Sequence, residues 1–226
     1  VRIAVLADIH GNSFALDAVL DDLSRQDVDL TVNLGDALSG GVDPAGTVSR
    51  LRDLAMPTVR GNHERQLRTT PRPAMGPSDA LAFDAMSPED HAWLRSLPLS
   101  HEVAPGVLAF HGTPCDDATY LLESVDRDGA RAATHEEIGE RLGDFAGGWQ
   151  LLLCGHTHVQ REVHLASGAT VVNPGSVGWP AYADDQPFTH VMEAGTPHAR
   201  YAIVESDGES WSAALRAIDY DVEPAA

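Results

Sequence analysis

Short apolar runs that stop abruptly at polar residues recur along this chain. Residues 2–7 are almost continuously apolar, the pattern of a strand buried on both faces, and they end in Asp8-Ile9-His10-Gly11-Asn12. The spacing of Leu16, Val19, Leu20 and Leu23 then predicts a helix, capped by Asn12 or Ser13. A second strand is expected over 29–34, stopping at Gly35-Asp36, and a second helix over about 44–54, after the loop Ser39-Gly40-Gly41. Residues 56–59 read as a third short strand, closed by Arg60-Gly61-Asn62-His63-Glu64. In an open α/β sheet the carboxyl ends of the strands meet at one crevice, so these three tips are expected to converge.

Residues 65–105 look different. Pro71, Pro73, Pro77, Pro88 and Pro98 punctuate them, and one helix is legible, starting at Ser87 with Pro88, Glu89 and Asp90 in its first turn. This segment reads as an insertion over one side of the crevice or as a plain connector. The strand pattern resumes at 107–110 and ends at His111. Residues 116–141 are acidic and partly helical, a rim in which Tyr120 and His135 are assigned no role. Leu151-Leu152-Leu153-Cys154 is a buried strand that gives way to Gly155-His156-Thr157-His158. A hairpin over 162–165 and 170–172 turns at Ser167-Gly168 and leads into the loop Asn173-Pro174-Gly175-Ser176-Val177-Gly178. Two last strands, 200–205 and 211–218, are split by Asp207-Gly208.

With 226 residues and 43% hydrophobic content, the chain suits one globular domain over 1–226. No window approaches the roughly 20 apolar residues of a membrane helix, and no basic-then-apolar leader precedes the first strand, so no membrane partner and a cytoplasmic location are expected. Cys115 and Cys154 are too few for a disulfide scaffold. The net charge is -19, from 34 acidic residues against 15 basic ones, and every basic residue is Arg. Such a surface repels long nucleic acid; a small anionic substrate can still enter where metal ions reverse the potential locally.

The strand-tip groups are Asp8, His10, Asp36, Asn62, His63, His111, His156 and His158. Singly, each has a plain alternative: Asp8 or Asp36 as a helix cap, His156 and His158 as a solvated pair. If the backbone stays extended, those two imidazoles point the same way. Together the groups offer carboxylate, imidazole and one amide oxygen without thiolate, which favours Mn, Fe, Zn or Ni over a structural zinc site. They are too many for one ion, and a pair of ions needs a bridging carboxylate.

Asp-x-His, Gly-Asp, Gly-Asn-His-Glu, His and Gly-His-x-His, in that order, resemble the calcineurin-like metallophosphoesterase superfamily from Arg2 to Gly178. Within it, the closing Asn-Pro-Gly-Ser-Val-Gly and the small size are similar to the compact bacterial YfcE-like phosphoesterases. The resemblance implies an α/β fold of four layers, two mixed sheets sandwiched between helices, with a dinuclear metal site at the strand ends. It implies one metal held by Asp8, His10, Asp36 and His158, and another held by Asp36, Asn62, His111 and His156. His63 would stand outside both as phosphate-orienting group or general acid, and Mn is the favoured ion. The implied substrate is a small phosphodiester, nucleotide or phosphomonoester, attacked by a hydroxide between the ions. In the protein-phosphatase branch the Gly-Asp block continues with an Asp that pairs with the catalytic histidine and an Arg that holds phosphate. Here Ala37-Leu38-Ser39-Gly40 follows Asp36, so the phosphoprotein reading is the alternative, alongside a metal-binding regulatory module. Asn12 and Arg60 are the candidate phosphate contacts.

Overall fold

A computed structural model describes residues 1–223. The chain opens with β1 (Arg2–Leu6), α1 (Ser13–Leu23), β2 (Leu30–Asn33) and α2 (Pro44–Leu54). Both helices start as their sequences dictate. Asn12 accepts from the Ala15 N–H, and Asp43 accepts from the Gly46 N–H ahead of Pro44. Three helices follow, α3 (Asn62–Thr69), α4 (Pro77–Ala85) and α5 (Pro88–Ser96), the last capped reciprocally by Ser87 and Asp90. Next come β3 (Ser100–Ala104), β4 (Val107–Phe110), the hairpin β5 (Glu123–Asp126) and β6 (Gly129–Ala132), and α6 (His135–Leu142). The chain continues as β7 (Leu151–Leu153), β8 (Arg161–His164), β9 (Thr170–Asn173), β10 (Ala181–Asp184), β11 (His190–Glu193), β12 (Ala199–Ser206) and β13 (Trp211–Ile218).

Two mixed sheets carry the architecture. One has the order β13-β12-β1-β2, with β1 parallel to β2 and antiparallel to β12; the other has the order β3-β4-β7-β9-β8, with β4, β7 and β9 parallel. Alternation along each strand sends side chains to two faces. Ile3 and Val5 meet Val107, Ala109, Leu151, Leu153 and Val172 between the sheets. Ala4 and Leu6 face the opposite way, against Leu16, Val19 and Leu51 of the first two helices and Leu94 of α5. Leu108, Phe110, Leu152 and the free thiol of Cys154 pack on Ile138 and Leu142 of α6. The result is the four-layer αββα arrangement, with the apolar faces of the central strands covered. Among the described residues, no helix is long and apolar enough to cross a membrane.

Three expectations need correction. Residues 56–59 form no strand: Thr58 makes a single parallel bridge to Asn33, because Pro57 has no N–H to continue the ladder. Residues 65–105 contain most of α3, all of α4 and α5, and strand β3, where one helix was legible. The hairpins β5–β6 and β10–β11 escaped the pattern because each is a two-stranded sheet of four-residue strands carrying many exposed residues, which weakens the alternation signal.

Candidate active site

The chain leaves β1, β2 and β7 in an unusual backbone conformation. Asp8 (φ 55°), His10 (φ 50°), Asp36 (φ 51°), His156 (φ 72°) and His158 (φ 60°) all lie in the left-handed region, with Ala55 the one other non-glycine residue described there. That region is uncommon outside glycine and gathers at functional sites, where the surrounding structure must hold it. It also overturns the expected geometry of the last pair. His156 and His158 are not on an extended strand, and their rings part company: His156 lies 5.0 Å from the His111 ring and His158 lies 5.0 Å from His10.

Two groups of converging atoms result. Asp8, His10 and His158 form one, with His158 Nε2 3.2 Å from both Asp8 Oδ1 and His10 Nε2. Asp36, His111 and His156 form the other, with His111 Nε2 3.1 Å from Asp36 Oδ2. The groups adjoin, since His111 Nε2 is also 3.8 Å from Asp8 Oδ1. Asn62, at the start of α3, lines the same cleft.

Each imidazole is held from behind by a backbone carbonyl. His10 Nδ1, His111 Nδ1 and His158 Nδ1 face the carbonyls of Ser39, Leu34 and Trp179 at 2.7, 2.8 and 2.6 Å, and His156 Nε2 faces that of Ala118 at 2.9 Å. A carbonyl only accepts, so these nitrogens carry the proton, and wherever the ring is neutral the opposite nitrogen turns its lone pair into the cleft. Burial, with a further push from His158, depresses His10 to about 3; burial and His111 depress His156 to about 4. Both rings are therefore neutral, as ligands must be. Asp8 Oδ1, Asn62 Oδ1 and His111 Nε2 are buried and have no hydrogen-bond partner among the described residues, which is costly for a folded protein. Burial opposes charge on His111, yet the adjoining Asp36, with Asp8, lifts it to about 10. This buried field calls for a cation, and the donor set fits divalent metal ions.

His63 sits apart from both groups on the cleft wall, its ring 5.4 Å from that of His10. Its Nδ1 is 2.7 Å from Asp79 Oδ1, and Asp79 is only 6% exposed. Burial works against protonation of His63, but Asp36 and the Asp79 hydrogen bond raise it to about 9. Its Nδ1 is committed to Asp79, and Nε2 is left over.

Residues 1–194 match the calcineurin-like phosphoesterase superfamily domain. The chain belongs to the calcineurin-like phosphoesterase superfamily. It is 26% identical to the uncharacterized protein MJ0912 of Methanocaldococcus jannaschii, over 99% of this chain and 89% of that one. Its fold is similar to that of a metallophosphoesterase from Sphaerobacter thermophilus, with 23% identity, a TM-score of 0.73, and coverage of 98% of this chain and 90% of that one. It is also similar to hypothetical protein PH1004 of Pyrococcus horikoshii OT3, with 17% identity, a TM-score of 0.75, and coverage of 97% and 88%.

Within this phosphoesterase the loops are tied to one another, not only to their strands. The fully buried Glu64 accepts the N–H groups of Gly61, Asp36 and Ala37 at 2.7, 2.8 and 2.8 Å, clamping the second and third motif blocks together. The clamp brings the backbones so close that a Cβ at Gly61 would collide with Asp36 Oδ1. Asn173 donates to the Gly155 carbonyl and Thr157 Oγ1, and Ser176 Oγ donates to the Asp8 carbonyl, so the 173–178 loop braces both histidine blocks.

The remaining candidates are placed elsewhere. Asn12 is occupied as the α1 cap and by contacts with the Gly178 carbonyl and the Tyr220 hydroxyl. Arg60 does not line the cleft; its Nε lies 3.6 Å from Asp117. Sequence reasoning missed Asp79, behind His63, and the wall residues Tyr120, Trp179, Tyr182 and Asp184. Asp79 reads as an ordinary first-turn acid of a helix that was itself unpredicted, and nothing in the sequence ties it to His63. Tyr120, given no role, packs on the His156 ring and, with Tyr182, closes one side; Tyr182 lies on an unpredicted hairpin.

Proposed function

We propose that this chain is a dinuclear metal-dependent hydrolase of a small phosphodiester, nucleotide or phosphomonoester, with the diester favoured and Mn the first ion to test. The observation that carries the reading is the pair of adjoining ligand groups, with a histidine outside both whose Nδ1 is held by a buried carboxylate. Asp36 is the proposed bridge: its charge is felt by His10 in one group and by His111 in the other. Asn62 would complete the second set through its orphaned Oδ1. When bound, two divalent ions lower the pKa of water and offset charge on phosphoryl oxygens.

The chain's own residues do the rest. The carbonyl-anchored imidazoles fix each ligand nitrogen in place before substrate arrives, so no reorganisation is needed during the reaction. The cleft, about 160 Å³, is walled in part by Tyr120, Trp179 and Tyr182. His63, oriented by Asp79 through Nδ1, presents Nε2 to the leaving oxygen, where it can donate a proton as the P–O bond breaks. The cleft adjoins a broader groove, which leaves space for the organic part of the substrate.

The test is a chromogenic panel after chelation and reloading with Mn: bis-p-nitrophenyl phosphate against p-nitrophenyl phosphate. Mn-dependent turnover with the diester preferred is the expected result. Absence of turnover on both, with two ions bound, would favour a binding module and overturn the proposal.

A further inference from the structure

Beside the cleft lies a groove of about 730 Å³ that shares Asn62, Tyr120, His156 and Asp184 with it. Helix α3 runs along this groove. One turn on from Asn62, about 5.4 Å along the axis, it presents Arg65 and Gln66 on the same side. Three arginines line the groove, and they are not equivalent. Arg131 is spent on Glu137 through two hydrogen bonds at 2.9 and 2.8 Å. Arg141 is spent on the carbonyls of Leu121 and Glu123 and on Ser124 Oγ. Arg65 is held only through Nε, 2.8 Å from Asp117 Oδ1, and its terminal nitrogens have no partner among the described residues.

Asp117 does not neutralise it alone. That buried carboxylate is shared with Arg60, so the trio Arg60–Asp117–Arg65 carries one net positive charge. Asp116, the neighbouring acid, also lies within the field of Arg65: burial pushes its pKa up, but hydrogen bonds from Ala118 and Thr119, with Arg65 adding to them, bring it below its ordinary value. Its Oδ1 is taken up by those two N–H groups and the Thr119 hydroxyl, so it adds charge near the guanidinium without filling its fork. A guanidinium oriented through Nε keeps its terminal fork for a planar or tetrahedral oxyanion, the geometry in which Arg binds phosphate best. In a chain of net charge -19, such a donor beside the cleft marks where a second anionic group is accepted.

We propose that Arg65 binds a second phosphate of the substrate, one joined to the phosphoryl group that is hydrolysed, with the organic part lying along the groove. The substrate class is then a small diphosphate or polyphosphate, such as a nucleoside polyphosphate. The inference rests on the phosphoesterase reading above. The chemistry balances as ordinary hydrolysis: the oxygen of water bonds to phosphorus, the bond from phosphorus to the bridging oxygen breaks, and that oxygen leaves with a proton. Arg65 takes no proton and makes no bond. It positions the leaving half.

The experiment uses the Mn-loaded full chain with adenosine diphosphate and adenosine monophosphate as substrates. Relative to wild type, Arg65→Ala should lower the ratio of kcat/KM for the diphosphate to kcat/KM for the monophosphate at least tenfold, mainly through KM. Arg65→Lys should recover part of that loss. Arg65→Gln, closer in length, serves if the alanine variant folds poorly, with the melting temperature and metal content compared. Calorimetric titration at fixed free Mn reads the same contact without turnover. Inorganic pyrophosphate should bind wild type more tightly than inorganic phosphate does, and the Arg65 variants should lose that preference. A missing turnover with the pyrophosphate preference intact counts against the phosphoesterase reading and leaves the anion site standing. An unaltered substrate ratio or pyrophosphate preference in the variants would overturn the role of Arg65.

Discussion

At the scale of single residues, His63 and Asp79 form the pair on which proton transfer would depend. Removing His63 removes no candidate metal ligand, so His63→Ala should retain its ions and lose turnover by roughly 100- to 10,000-fold. The loss should be large for alkyl esters and small for p-nitrophenyl esters, whose leaving group needs little protonation. An equal loss on both would reassign His63 to phosphate positioning. Asp79 acts through His63 rather than on substrate, so Asp79→Ala should cost about 10- to 100-fold, the size seen for groups that orient a reacting residue. In the His63→Ala background the same change should cost nothing further, because the only group it orients is gone. Additive losses in the double variant would mean Asp79 merely supports α4.

At the scale of elements, the loops are held by a few buried acceptors. Glu64 satisfies three N–H groups from two motif loops, and its replacement by Ala would leave all three buried and unpaired. Charge-assisted bonds of this kind make Glu64→Ala destabilising by about 3 kcal/mol or more, with weakened metal affinity at Asp36, measurable by urea titration and metal analysis. A loss below about 1 kcal/mol would show that water replaces the carboxylate. A second tie joins α1 to the β12–β13 edge, where Asp22 accepts from the Tyr201 hydroxyl and from Arg216. Burial alone would raise the Asp22 pKa, but the Tyr201 hydrogen bond and Arg216 bring it below its ordinary 3.8. A carboxylate with a depressed folded pKa contributes stability that is complete above its unfolded value and fades as pH falls through the folded one. Wild type should therefore lose stability below about pH 4 more steeply than Asp22→Asn, as read from urea midpoints against pH. Parallel curves would remove Asp22 from the acid response.

At the scale of the whole molecule, the two sheets bring four strand ends to one edge, and the cost of assembling buried acids and imidazoles there is offset only when a cation is bound. Ions that bind the native chain and not the unfolded one add about 2.7 kcal/mol at a concentration of 100 times the dissociation constant. EDTA should lower the melting temperature, and added Mn should restore it. An unchanged melt, with metal loss verified, would mean the site folds around protons alone, with His111 supplying the positive charge.

What the sequence determined by itself was eight of the strands, β1, β2, β4, β7, β8, β9, β12 and β13, and the polar residues at the tips of β1, β2, β4 and β7. Buried strands and their punctuation are local signals, so β1, β4, β7 and the strand boundary at β13 are readable from apolar runs, and the motif blocks are readable from residue type and order. Helix α2 is equally legible, since Asp43 and Pro44 open it and its apolar positions keep helical spacing. Tertiary structure decided the rest, because it depends on approach between segments far apart in the chain. The left-handed turns at Asp8, Asp36 and His158 come from loops braced by Glu64, Asn173 and Ser176, and no residue within the turns announces them. Asp79 reaches His63 only because α4 folds over the cleft, and Tyr120 becomes a wall only because His156 turns toward it. Asn12 looked available for phosphate until the folded chain spent it on a helix cap, and Arg60 lies off the cleft wall, 3.6 Å from Asp117. A side chain's type is written in the sequence; whether its hydrogen bonds are already used is settled by the neighbours that folding brings to it.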